Sequence, residues 1–270
     1  MTEINHIELY NDAKKWILEA GANIREKIND PLIIDTKSDA NDLVTTMDKE
    51  TEKYFAEKIR TNHPGHLLLS EEGFGNDVKS LDGAVVWIID PIDGTMNLVQ
   101  QKRNFAISIG IYHDGVGEIG LIYNVMEDVL YSAIKGEGAF KNDVKLPHLK
   151  EHVNFNQAMI GLNHFWLCEN YLVDEKVMQQ LVRTVRGTRT YGAASLEFAY
   201  VAEGIMDGYL TMRLSPWDIA AGIIIVNEVG GITSNAFGEE LNMVENNSIL
   251  VCHTSIQETI VQDYILKGRK

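Results

Sequence analysis

The chain of 270 residues reads as an α/β (α+β) protein on three observations. A helical period opens it, two-residue alternation dominates residues 105–134, and helices alternate with strands after about residue 150. The length suits one large α/β domain or two halves sharing a core, and no linker, repeat or low-complexity segment marks a boundary. One domain, 1–270, is therefore expected, with sub-halves of approximately 1–150 and 151–270.

Residues 7–28 place Ile7, Tyr10, Ala13, Trp16, Ile17, Ala20, Ile24 and Ile28 at helical spacing, which predicts an amphipathic helix. A polar loop spans 36–42. A second helix comes next with Met47, Tyr54, Phe55 and Ile59 inward, ending at His63-Pro64-Gly65, and Thr45-x-x-Asp48 has the form of its capping box. Residues 66–70 make a short apolar strand that ends in acid, Glu71-Glu72-Gly73.

The run 84–89 is too short for a helix and rich in β-branched residues, as a strand buried on both faces is. It stops at Asp90-Pro91, because proline cannot continue a ladder. Asp90 and Asp93 then straddle a turn, and Gly94-Thr95 come at once after them. Two acids at a strand end, next to free backbone amides, suit a hard divalent cation with a phosphate beside it. Taken alone, the same residues read equally well as an Asp-Pro turn with Asp93 capping the next element of the chain.

Strands are predicted over 105–112, 118–126 and 129–134, with turns at Asp114-Gly115, Glu127-Asp128 and Lys141-Asn142-Asp143. Further on, 170–184 is helical, and Gly192-Ala193-Ala194-Ser195 opens a helix running to about Glu203. Residues 207–212 form a strand. Ser215-Pro216-Trp217-Asp218 then starts the apolar helix 219–229, which ends at Gly230-Gly231. As a capping-box acid, Asp218 needs no function. A last strand at 249–252 and a last helix at 255–266 close the chain.

The formal charge of −15 argues against nucleic acid or an anionic membrane as partner, and no window is apolar enough to span a bilayer. The acidic, polar start lacks the pattern of a signal peptide, and Cys168 and Cys252 lack metal-ligand spacing, so reduced thiols and a cytoplasmic location are expected. An acidic protein that binds phosphate must neutralise its own site, and divalent cations would do that.

Four separated pieces coincide: Glu71-Glu72; Trp87-Ile-Ile-Asp-Pro-Ile-Asp-Gly-Thr95 with Asn97; Gly192-Ala-Ala-Ser-Leu196; and Trp217-Asp218-Ile-Ala-Ala-Gly222. In order and spacing, over nearly the whole chain, they resemble the inositol monophosphatase family, within the lithium-sensitive, magnesium-dependent phosphatases related to fructose-1,6-bisphosphatase. The resemblance implies a layered αβαβα sandwich. A large, mostly antiparallel sheet would lie in the N-terminal half, and a smaller mixed sheet flanked by helices in the C-terminal half. It implies hydrolysis of inositol 1-phosphate or a similar small phosphate ester. Two or three Mg2+ ions would serve each site, with Mn2+ as a substitute and Li+ and Ca2+ as inhibitors, in a homodimer.

Carried over by position, Glu71, Asp90 and the carbonyl of Ile92 would hold one ion, and Asp90, Asp93 and Asp218 a second. The amides of Gly94 and Thr95 would take phosphate oxygens. Thr95, backed by Asp48, would position the attacking water, with Lys37 and Glu72 as supporting charges. Asp93, Gly192, Ala194, Thr211 and Asp218 would complete the substrate side. The chemistry is coherent without the family. Phosphate monoesters hydrolyse very slowly in water, and two-metal sites both activate water and stabilise the leaving oxygen. None of the eight histidines falls in a catalytic setting, so direct attack by water is expected.

The departures lie on the substrate side. Thr211-Met212-Arg213-Leu214-Ser215 offers no carboxylate where the family often has Glu. Ala193 stands where Ser is usual, Leu98 replaces a frequent Phe, and Gln101-Lys102-Arg103-Asn104 replaces a His/Pro-containing segment. Phosphomonoester hydrolysis therefore reads more firmly than inositol. Lys102, Arg103 or Arg213 meeting a second phosphate would favour NADP, fructose 1,6-bisphosphate or 3′-phosphoadenosine 5′-phosphate. A reading from another class is an inactive relative serving as a metal-binding or interaction protein.

Overall fold

The computed structural model describes residues 4–31, 33–36 and 43–270. Lys37 lies outside the described residues. The chain begins with α1 (His6–Lys27), then β1 (Ile34–Thr36) and β2 (Leu43–Thr45), which pair antiparallel, and α2 (Thr46–Asn62). A sheet of seven strands comes next: β3 (Leu67–Ser70), β4 (Val85–Asp93), β5 (Ala106–His113), β6 (Val116–Asn124), β7 (Val129–Ile134), β8 (Gly138–Lys141) and β9 (Val144–Lys145). The strands lie in chain order and only the β3–β4 pair is parallel. The short helix α3 (Thr95–Gln101) leaves the end of β4.

The second half supplies β10 (Met159–Leu162), α4 (Glu175–Thr184), β11 (Gly187–Arg189), α5 (Ala194–Ala202), β12 (Gly208–Leu214), α6 (Pro216–Glu228), β13 (Ile232–Ser234) and β14 (Asn247–Cys252). It ends with α7 (Thr254–Glu258), which continues as a π-helical turn over Thr259–Ile265. Its sheet has the order β11-β10-β12-β14-β13, parallel among β11, β10 and β12 and antiparallel at β14.

Three buried clusters stack these elements into five layers, α, β, α, β, α. One joins α1 and α2 to a face of the large sheet through Trp16, Ile17, Phe55, Trp87 and Ile89. The second holds α5 and α6 between the two sheets through Val86, Ile88, Phe198, Ile219 and Val251. The third packs α4 and α7 on the outer face of the small sheet through Met178, Leu181, Leu250 and Ile256. Successive residues of β4 enter opposite clusters, which is why its sequence is apolar without alternation. α6 is apolar all round because it lies in the middle layer. It approaches the large sheet closely at two glycines: a Cβ on Gly110 would sit 2.7 Å from the Ala220 Cβ, and one on Gly120 2.6 Å from the Ala221 carbonyl oxygen.

Several sequence expectations need correction. β4 does not stop at Asp90 but runs to Asp93. Pro91 is tolerated because β3 has already ended and the β4–β5 register shifts between Asp90 and Asp93, a bulge that asks nothing of a proline N–H. Asp93 does not cap the helix after it, whose N-cap is Gly94 in the left-handed region. Ile7 is exposed, with Leu9 buried in α1 instead. α4 begins only at Glu175, capped by the Asp174 side chain on the Lys176 N–H. Cys168 and Cys252 are both free thiols. No helix among the described residues is long and apolar enough to cross a membrane.

Candidate active site

The parallel register of β3 and β4 ends at Ser70 opposite Ile89, so Glu71 leaves β3 beside Asp90, which is still within β4. Three residues on, the bulge re-aims β4 and brings Asp93 to the same end of the sheet. Asp218 arrives from the first turn of α6, where it accepts the Ser215 N–H at 2.7 Å and so also serves as the cap expected of it. Oxygens of Asp90, Asp93 and Asp218 lie within 4.8 Å of one another. Asp90 and Asp93 are buried and Asp218 half-buried.

Burial raises the carboxyl of Asp90 well above its ordinary value, and the charges of Glu71, Asp93 and Asp218 add to the effect. Asp218 is raised in the same way, by burial and then by Asp93 and Glu71. Asp93 is pushed up to about 6 by burial, although Ser195 and Ala194 hydrogen-bond its charged form. Acids that resist ionising together are relieved by a cation. An all-oxygen donor set at this spacing matches a hard ion such as Mg2+ and not the nitrogen and sulfur ligation typical of zinc.

Beside the acids, Gly94 takes φ +92°, turning the chain so that α3 starts at once with its first amides free of helix partners. Thr95 donates its hydroxyl to Asp48 at 2.8 Å and lies 3.2 Å from the Ile92 carbonyl oxygen. The other Asp48 oxygen takes the Thr45 N–H at 2.9 Å, closing the capping box of α2. Asp48 thus spans a helix cap and the site. Its carboxyl is raised by burial, against the opposing pull of Thr45 and Thr95.

Asp93 accepts the Ala194 N–H at 3.1 Å, the Ser195 N–H at 2.6 Å and the Ser195 hydroxyl. The N-cap residue of α5, Ala193, has no capping side chain, so β4 supplies the cap across the domain. This brings Gly192 and Ala193 against Gly94: a Cβ on Gly94 would sit 3.1 Å from that of Ala193. Asn97 locks the contact by donating to the Tyr191 and Asn104 carbonyls, each at 2.8 Å. Thr211, on β12, is 2% exposed and hydrogen-bonded to Tyr209. Lys102 is turned away to Asn29 at 3.0 Å. The Asn246 amide bridges Ser215 and Arg213, its oxygen accepting from the Arg213 Nε and Nη2 at 3.0 Å.

Sequence reasoning missed two buried glutamates. Glu52, inside α2, accepts from the Ser70 hydroxyl at 2.7 Å, the Glu72 N–H at 2.5 Å and the Phe74 N–H at 2.8 Å, clamping the loop that carries Glu71 and Glu72. Glu197, inside α5, accepts the Tyr191 N–H at 2.8 Å. Each was detectable as an acid on an otherwise apolar helix face: Glu52 with Phe55 and Ile59, Glu197 with Ala194 and Val201.

Fold and site together define a phosphoric monoester hydrolase built as a five-layer sandwich, with a carboxylate cluster able to hold metal. The chain belongs to the inositol monophosphatase family, whose sequence model matches residues 6–265. It is 53% identical to the inositol-1-monophosphatase of Bacillus subtilis (strain 168) over 97% of this chain and 98% of that protein. A crystal structure of SaIMPase-II with bound 2′AMP is 42% identical, with a TM-score of 0.88 over 96% of this chain and 95% of that one. A crystal structure of an IMPase/NADP phosphatase complexed with Mg2+ and phosphate is 26% identical, with a TM-score of 0.86 over 95% of each chain.

Proposed function

We propose that the enzyme releases phosphate from inositol 1-phosphate-type esters in a Mg2+-dependent reaction with water as nucleophile. One observation carries the reading: the Thr95 hydroxyl, held by Asp48 at 2.8 Å, stands beside three acids gathered within 4.8 Å. Glu71, Asp90 and the Ile92 carbonyl would hold one ion, and Asp90, Asp93 and Asp218 another. When bound, Mg2+ neutralises phosphate charge and acidifies water.

The chain's own groups do the rest. With its hydroxyl proton directed at Asp48, the Thr95 oxygen is left as an acceptor that would align a water for in-line attack. Asp48, its carboxyl already raised by burial, is suited to take a proton passed through Thr95. The Gly94 and Thr95 amides take phosphate oxygens, and Gly192 and Ala194 form the opposite wall. The serine hydroxyls of the site are already engaged, Ser195 with Asp93 and Ser70 with Glu52, which supports direct attack by water.

A second reading keeps the chemistry and changes the ester to a nucleotide 2′-phosphate such as that of NADP. It is favoured by the buried Thr211 in place of a carboxylate, by Arg213 at the β12–α6 junction, and by the 2′AMP complex of a relative. The test is phosphate release with Mg2+ from inositol 1-phosphate, NADP, fructose 1,6-bisphosphate and 3′-phosphoadenosine 5′-phosphate, with Asp93→Asn in parallel. Inositol 1-phosphate leading supports the first reading and NADP leading the second. No turnover of any ester, with wild type and Asp93→Asn alike, leaves only an inactive interaction protein. The same reading places a homodimer in the cytoplasm, activated by Mn2+ as a substitute and inhibited by Li+ and Ca2+. Light scattering and ion titrations check those points.

A further inference from the structure

Glu197 is a carboxylate with no task in the proposed reaction. It sits inside α5 at 2% exposure, between the two sheets. One oxygen accepts the Tyr191 N–H at 2.8 Å, and the carboxylate also takes the Gly192 N–H. The other oxygen, Oε2, is buried without a hydrogen-bond partner among the described residues. Room for it exists because residue 161, on β10, is glycine: a Cβ there would lie 2.5 Å from Oε2. Burial pushes the carboxyl up to about 7, opposed by the two N–H groups.

An acid held this way in an apolar layer is costly, and a leucine would pack α5 more simply. What the acid supplies is acceptor capacity aimed at one turn. That turn, Tyr191–Ala194, is the wall facing Gly94: the Gly192 carbonyl oxygen would lie 3.3 Å from a Cβ on Gly94, and Gly192 itself takes φ +80°. The wall is held at three points. Asn97 takes the Tyr191 carbonyl, Asp93 takes the Ala194 N–H, and Glu197 takes the Tyr191 and Gly192 N–H groups from behind.

We propose that Glu197 is the positioning residue of the phosphate pocket: through Tyr191 and Gly192 it fixes the wall opposite Gly94 and so sets the pocket's width. The inference rests on the phosphate-site reading above. It assigns Glu197 no contact with substrate and no role in the chemical step. A pocket wall that shifts weakens binding of the phosphate group more than it slows attack, because the acids and the Thr95–Asp48 pair stand on other elements.

The test compares wild type, Glu197→Gln, Glu197→Leu and Gly161→Ala. Each is measured for Tm, for KM and kcat on its best ester, and for the Kd of inorganic phosphate with Mg2+ by calorimetry. Gln keeps an acceptor for both N–H groups, so phosphate Kd and KM stay within about 2-fold of wild type. Leu removes the acceptor, and both constants rise together by about 10-fold while kcat changes less. Gly161→Ala leaves Glu197 in the sequence and displaces its carboxylate, so it moves the same constants in the same direction. This second variant keeps the test informative if Glu197→Leu fails to fold.

Unchanged phosphate Kd and KM in folded Glu197→Leu or Gly161→Ala overturns the proposal and leaves Glu197 a core residue. Failure of the functional reading is separate: wild type itself then shows no Mg2+-dependent phosphate release and no phosphate binding sensitive to Asp93→Asn.

Discussion

Thr95 donates its hydroxyl to Asp48 at 2.8 Å across 47 positions of sequence, and Asp48 is at the same time the capping acid of α2. One carboxylate therefore couples helix stability to the alignment of a hydroxyl. Asp48→Asn keeps the shape and part of the cap, so Tm falls only slightly while kcat drops by about 10²-fold or more. Asp48→Ala loses the cap as well, at about 1–2 kcal/mol. Thr95→Ser retains most activity and Thr95→Ala does not. Equal kcat in Thr95→Ala and wild type would sink the water-positioning role.

Asp93 serves both the acid cluster and the N-terminus of α5. Asp93→Asn leaves one acceptor oxygen for the α5 amides but removes a charge from the cluster. The protein should fold, and kcat/KM should fall by about 10²–10³-fold at saturating Mg2+. Ser195→Ala removes only one hydrogen bond to the carboxylate and should cost about 10-fold at most. Far-UV circular dichroism separates lost chemistry from lost structure.

The raised carboxyls of Asp90, Asp93 and Asp218 tie stability to pH with a definite sign. A folded carboxyl above its unfolded value binds more protons than the unfolded chain, so its contribution is present at low pH and lost as pH rises. For Asp93 that window runs from the ordinary carboxylate value, 3.8, to about 6. Under the proposed metal binding, Mg2+ would replace the protons above it. The Tm gain from Mg2+ should thus be small at pH 5 and larger at pH 8, and Asp218→Asn should shrink the difference. An equal gain at both pH values contradicts the assignment of the acids as metal ligands.

Glu52 holds the loop of Glu71 through the Glu72 and Phe74 amides. Glu52→Gln should leave the fold intact and raise the Mg2+ concentration for half-maximal activity by about 10-fold or more, as loss of an outer-shell support does. An unchanged Mg2+ requirement would mean that the clamp acts on stability alone.

α6 delivers Asp218 because the sheet beneath it carries glycine at 110 and 120. Gly120→Val forces a side chain against the Ala221 carbonyl, and about 1–3 kcal/mol of stability should be lost in a denaturant titration. Activity should fall further than stability, since Asp218 moves with the helix. The same stability loss with full activity would show that the helix can shift without disturbing the acids.

Much of this was legible in local pattern. The capping boxes at Thr45–Asp48 and Ser215–Asp218, the alternating strands and the two acid-ended strands each arise from short-range rules. The end of β4 was not, because whether Pro91 stops a strand depends on a partner: β3 ends at Ser70, and the bulge against β5 absorbs the proline. Nor was the hydrogen-bond partner of Asp93: local pattern offered it, as the alternative to a metal-site acid, the cap of the next element, whereas it caps α5, 101 residues away.

Sequence alone determined the class of elements and, through four separated motifs taken together, singled out the acids Glu71, Asp90, Asp93 and Asp218 and Thr95 with its neighbour Gly94. Each motif by itself reads equally as turn or cap chemistry. Only tertiary structure decided which partners those groups have. The parallel register sets Glu71 beside Asp90, glycines in the large sheet let α6 bring Asp218 down, and Glu52 and Glu197 point inward to hold the loops. The reason is physical. A motif fixes backbone within a few residues, whereas the spacing of carboxylates from three distant segments is set by close packing of layers, which no local pattern encodes.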